Sequence, residues 1–171
     1  MLWRERGLVC AVVAIAALSL AGCQLRPLYA TTTAAPGPQA DLPAIDVEPP
    51  ADRVEQSYRN ALLFGLRGGG EGAAARYGLI FRMTIRSQTI AVERGTGTPN
   101  AYQLTGGVSF LLKDAATGDS VYGASVTAVD TYARSSQDFA NIRAQRDAED
   151  RLAKTLAGLT QARLAAYFAT N

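Results

Sequence analysis

The chain has 171 residues, with 17 Lys and Arg against 15 Asp and Glu, and no His at all. A net charge of +2 gives no electrostatic case for nucleic-acid binding. Without imidazole, and with only two Cys, the chain lacks the usual zinc and transition-metal ligands and every Ser-His or Cys-His nucleophile pair, which argues against an enzyme.

At the N-terminus, Arg4 and Arg6 precede an apolar run from Leu8 to Leu20 that ends in Leu20-Ala21-Gly22-Cys23. This is the layout of a secretory signal peptide, too short for a comfortable transmembrane span. The Cys makes it more specific, because the run resembles the lipobox of bacterial lipoproteins. There the thiol accepts a diacylglyceryl group, the chain is cut before the Cys, and the new amine is usually acylated. We therefore expect residues 1–22 to be a leader and Cys23 to carry lipid. Removing 22 of 171 residues leaves 149, the size of one ordinary domain. Cys10 leaves with the leader, so no disulfide can form within the mature chain, and its fold must rest on a packed core. Without Arg4, Arg6 and Glu5 the balance is 15 basic against 14 acidic residues.

Residues 23–44 include "TTTAAPGPQADLP", poor in large apolar side chains, and read as a tether. Its 15 residues from Ala30 to Ala44 would span about 20 Å root-mean-square. A domain over residues 45–171 follows. Ile45 and Val47 alternate with acids in a short strand closed by Pro49-Pro50. Val54, Tyr58, Ala61 and Leu62 fall at helical spacing in a helix from about Ala51 to Leu66. The glycines of "GLRGGGEG" end it; no Gly-Lys-Ser/Thr follows, so this is a connection rather than a phosphate cradle.

Three strand-like runs come next. From Arg76 to Val92, Tyr77, Leu79, Phe81, Met83 and Ile85 alternate with small or polar residues, with Ile80 the one apolar interruption. From Ala101 to Lys113, Tyr102, Leu104, Val108, Phe110 and Leu112 share one side. A hairpin turn at residues 113–119 places Gly118 for positive φ, and a third run extends from Ser120 to Tyr132. "RGTGTPN" at residues 94–100 is the other turn. Period-two patterning with one polar side marks an antiparallel sheet covered on one face. Capping residues at 135–138 open a last helix to about Phe168, with Phe139, Ile142, Leu152, Leu156 and Leu159 as its apolar stripe. Opposite charges four residues apart (Arg143 with Asp147, Arg146 with Asp150, Asp147 with Arg151, Asp150 with Lys154) mark its wet side. The expected fold is α+β: a four-stranded, mostly antiparallel sheet with two helices on one face, in the order β-α-β-β-β-α.

Within the first long run, Arg76, Arg82 and Arg86 are separated by even numbers and so share the face opposite the apolar residues. Arg82 and Arg86 would lie about 13 Å apart. A guanidinium fork suits phosphate, so these residues, with Arg94 beyond the strand end, are candidate contacts for a phosphate-bearing ligand; a solvated strand face is the competing reading.

"CQLRPLY" at Cys23–Tyr29, the long helix "SSQDFANIRAQRDAEDRLAKTLAGLTQARLAAYF" and the element order together resemble the LPS-assembly lipoprotein family LptE (rare lipoprotein B), particularly its alphaproteobacterial branch. The "RAQRDAEDR" core is the most specific piece. Gln24 stands where that family has Gly; it is not Asp, so nothing there favours inner-membrane retention. The resemblance implies a non-enzymatic, cofactor-free protein whose one covalent group is the lipid at Cys23. It also implies an outer-membrane lipoprotein that plugs the β-barrel LptD, assists its assembly, binds lipopolysaccharide and helps deliver it to the outer leaflet. The alternatives are an accessory lipoprotein of an envelope phospholipid or solute transport complex, and a passive structural lipoprotein.

Overall fold

A computed structural model describes residues 41–170, so the leader, Cys23 and most of the expected tether lie outside the described residues. The described chain begins with a single 3-10 turn, Leu42–Ala44, with Pro43 in its first position. Leu42 and Ala44 are both buried. The packed part thus starts inside the stretch read as tether, because a lone Leu among Pro and Ala carries too little pattern to be read as core.

The elements follow as β1 (Ile45–Val47), α1 (Arg53–Arg67), β2 (Tyr77–Val92), β3 (Pro99–Asp114), β4 (Ser120–Ala133) and α2 (Asp138–Thr170). Their sheet order is β1-β2-β3-β4. β1 pairs parallel with only the first three residues of β2, while β2, β3 and β4 form a long antiparallel meander. The parallel pair follows from the crossover through α1, which two neighbouring antiparallel strands would not need. The α+β expectation is met: a mixed, mostly antiparallel sheet with two helices.

Local chemistry sets the ends of α1. Asp52 caps it by accepting from Glu55 N–H at 2.8 Å, and Glu55 answers by accepting from Ala51 N–H at 2.7 Å. Gly68 closes it at φ 60°, where a side chain would be strained. Tyr58, Leu62 and Leu66 form its buried stripe. On the sheet, Leu79, Leu104, Val108, Phe110, Leu112 and Val126 are buried, with Tyr77, Phe81, Met83 and Ile85 packed against them. The odd-numbered residues of β2 from Tyr77 to Ile85 therefore do meet the helices.

α2 departs from expectation. Leu152 and Leu156 are fully buried, but Phe139, Ile142 and Leu159 are exposed by 77%, 51% and 40%. The helices run side by side in one direction, from Arg53 against Asp150 (2.6 Å) to Gln161 against the Gly65 carbonyl (2.9 Å). At about 100° per residue, Ala153, Ala157, Thr160 and Leu164 face α1. Phe139 and Ile142 lie on that same side, but about three and two turns before α1 begins. The buried stripe also drifts around α2, from Ala148 and Leu152 toward Thr160 and Leu164, and leaves Leu159 behind. The start is held by Ser135, whose hydroxyl accepts from Gln137 N–H at 3.3 Å, together with Asn141, which the sequence did not single out. The Asn141 side chain accepts from Ser135 N–H at 2.8 Å and donates to the Ser135 carbonyl at 2.9 Å. Of the expected charge ladder only Asp147 with Arg151 forms; Asp150 turns to Arg53 across the helices.

Candidate functional site

The face of the sheet away from the helices is built by the other residues of each strand. Their register is direct: Arg82 lies opposite Ser109, which lies opposite Ser125; Arg86 lies opposite Thr105, which lies opposite Val129. One level toward the β1 end, Ile80 stands beside Leu111 and Leu111 beside Gly123. A shallow groove of about 560 Å³ crosses these two levels. Its apolar end is Ile80 and Leu111, and its polar end is Arg82 with Ser109 and Ser125, whose hydroxyls meet at 2.9 Å. Gly123 lets the Leu111 side chain lie across it: a Cβ there would sit 2.8 Å from Leu111 Cδ2. Leu111 remains 42% exposed.

The four arginines selected from sequence fall into two situations. Arg82 and Arg86 are exposed on this face, and among the described residues neither takes part in an ion pair. Arg76 sits one residue before β2. Its guanidinium pairs with Asp41 and lies 5.4 Å from the Tyr77 ring centroid. The Tyr77 hydroxyl first, and then the Asp41 charge, raise its pKa further. Arg94 is exposed in the β2–β3 turn, beyond a register shift between Thr89 and Val92 that breaks the strict alternation of β2. The structure therefore brings Arg82 and Arg86 together on one face and separates Arg76 and Arg94 from them.

Sequence reading missed the apolar half of the groove. The signal was present, since Ile80 and Leu111 both stand out of phase with the buried positions of their strands. Among the described residues no group of three or more Cys, Asp or Glu is placed to hold a metal ion, and no helix is long and apolar enough to cross a membrane. What the face offers chemically is cationic and amphipathic: two unpaired guanidiniums beside an apolar strip.

A mixed four-stranded sheet with helices on one face and this open second face is an architecture shared with bacterial lipoproteins. A Caulobacter crescentus CB15 protein described as a lipoprotein superposes with a TM-score of 0.64 at 26% identity, over 78% of this chain and 97% of its own. The minor lipoprotein of Acinetobacter baumannii (TM-score 0.54, 18% identity, 72% and 89% of the two chains) shares the fold. So does rare lipoprotein B of Shewanella oneidensis (0.53, 14%, 72% and 93%). No curated protein matches the sequence. The family model for LptE, lipopolysaccharide-assembly, matches residues 42–164, and the chain belongs to that family. The family is one of accessory lipoproteins rather than enzymes.

Proposed function

We propose that this protein is an outer-membrane lipoprotein that plugs the LptD β-barrel, assists its assembly and helps pass lipopolysaccharide to the outer leaflet. In this reading residues 1–22 are removed, Cys23 carries the lipid, and the following residues tether the domain on the periplasmic side. The observation that supports it most directly is the pair Arg82 and Arg86, unpaired on the open face of an LptE-family domain. Guanidiniums without carboxylate partners are free to take phosphate oxygens bidentately, and the neighbouring strip of Ile80 and Leu111 suits the acyl part of the same lipid. Arg94 adds charge at the strand tip, whereas Arg76 would join only by exchanging Asp41 for a phosphate.

Two measurements test the proposal. Mild-detergent capture from outer membranes should recover a heat-modifiable β-barrel of LptD size; recovery of an ABC-type transport complex instead would overturn it. Replacing Arg82→Glu together with Arg86→Glu should weaken lipopolysaccharide binding, most clearly at low salt where exposed charges are least screened, with the melting midpoint nearly unchanged. Binding that is unaltered at low salt would remove these two residues from the ligand contacts.

A further inference from the structure

The meander leaves β2 with an unfinished edge. Its bonding to the β1 side ends where Glu48 N–H donates to the Leu79 carbonyl at 3.0 Å. The next outward donor, Phe81 N–H, is met by the Glu48 carboxylate. Backbone groups along a strand alternate sides, so Met83, Ile85 and Ser87 turn their N–H and C=O groups to the same side. Among the described residues no strand pairs with them there. On the β4 edge, by contrast, Asp130 accepts from Thr131 N–H at 2.7 Å, and the Thr131 carbonyl accepts from Arg151 at 3.2 Å.

The open edge is also regular. Its register with β3 is unbroken from Tyr77 to Thr89, with neither Pro nor bulge, two devices that normally blunt exposed edges. Beside it, on the helix side, lies a cleft of about 350 Å³ between the start of α1 and α2. Val54, Met83, Ile85 and Leu104 give its apolar floor, and Asp52, Glu55, Gln145 and Glu149 its polar rim; those acids are already engaged, Asp52 and Glu55 in capping α1 and Glu149 with Arg53. On the other side of the strand stand Arg82 and Arg86.

We propose that the β2 edge around Met83, Ile85 and Ser87 receives an extended segment of a partner protein as a fifth strand. That segment alternates apolar side chains, which enter the cleft, with acidic ones, which face Arg82 and Arg86. Strand addition of this kind draws affinity from main-chain hydrogen bonds and specificity from alternate side chains. The charge pattern selects the occupant. A second copy paired antiparallel about Thr84 would set Arg82 against Arg86 twice, and one paired about Ile85 would set Arg86 diagonal to its own copy with no acid on that face, so both registers crowd like charges. The chain's own residues 23–40 contain no Asp or Glu, so they do not fit either. This inference goes beyond the function proposed above and does not depend on it, although lipid phosphate and the acidic segment would compete for the same two guanidiniums.

The test uses the full-length chain in phosphate-free detergent micelles and two blocked eight-residue peptides, one alternating Val with Glu and one alternating Val with Lys. Residue-resolved amide hydrogen exchange is the readout. The Val-Glu peptide should slow exchange at Met83, Ile85 and Ser87 about tenfold at saturation, and the Val-Lys peptide should not. In the variant carrying Arg82→Glu and Arg86→Glu the preference should reverse. No slowing, equal slowing by both peptides, or slowing confined to the β4 edge would each overturn the proposal. So would slowing without peptide that grows with protein concentration, which would make the second copy the occupant.

Discussion

Tyr58 shows what a single buried polar atom costs and how the fold compensates. Its ring is fully buried against Phe81, with centroids 4.9 Å apart. Its hydroxyl donates to Thr160 Oγ1 at 3.1 Å, and Thr160 donates onward to the Leu156 carbonyl at 2.9 Å. Burial pushes the phenol pKa up to about 12. A phenol whose folded pKa is raised stabilises the fold fully below its unfolded value near 10, and this is lost as pH rises through the folded value. The protein should therefore lose about 3 kcal/mol of stability between roughly pH 10 and 12 from this group. Tyr58→Phe should cost about 1 kcal/mol at neutral pH and flatten the alkaline slope. Denaturant unfolding across that window checks both; equal slopes in parent and variant would show that Tyr58 does not govern it.

Gly106 is the complementary case, a residue chosen for what it lacks. It lies on the helix side of β3, where an added Cβ would come within 2.9 Å of Leu156 Cδ1 and 3.0 Å of Leu152 Cδ2. Gly106→Ala should cost about 1–3 kcal/mol by overpacking. Leu156→Ala should cost about 2–5 kcal/mol by leaving a void. The two errors are opposite in sign at one contact, so the double variant should be less damaged than the two single costs added together. Thermal melts of the three variants give the answer, and strict additivity would mean that the two residues do not meet.

Among the elements, legibility followed the number of neighbours each one has. The strands alternate against one layer, and a period of two survives in the sequence; Tyr77 to Ile85 and Leu104 to Leu112 could be assigned to a face directly. α1 packs one stripe inward and was equally plain. α2 touches the sheet and α1 at once, so its buried set is wide, turns along the helix, and is filled partly by Ala148, Ala153, Ala157 and Ala165. Small residues of that kind carry little hydrophobic signal, which is why Phe139, Ile142 and Leu159 looked more inward than they are. The site was half legible. The spacing of Arg82 and Arg86 sufficed to place them together, whereas the Asp41 partner of Arg76 and the cross-helix grip of Arg53 on Glu149 and Asp150 depend on residues 35 or more apart in sequence.

At the scale of the whole molecule, one sheet face is packed against the helices and the other is left open. That division suits a domain held at a membrane by something other than its own surface. If Cys23 supplies the anchor, two or more acyl chains make it effectively permanent, at about 0.8 kcal/mol per buried CH₂. Replacing Cys23→Ser should abolish incorporation of an alkyne fatty acid and leave the precursor at the inner membrane. Label retained in that variant would put the lipid elsewhere.

The aromatic side chains carry a practical consequence. The one Trp of the sequence is Trp3 and its Cys are Cys10 and Cys23, so residues 41–170 contain neither type. Near-ultraviolet absorption of the folded domain is therefore dominated by tyrosine, and two tyrosine pairs are stacked. Tyr102 and Tyr132 lie 5.3 Å apart on neighbouring strands, and Tyr122 and Tyr167 lie 4.6 Å apart where the end of α2 meets β4. Circular dichroism in the tyrosine band thus carries one signal from strand pairing and another from docking of the last helical turns, and Tyr167→Phe separates the two without adding a probe.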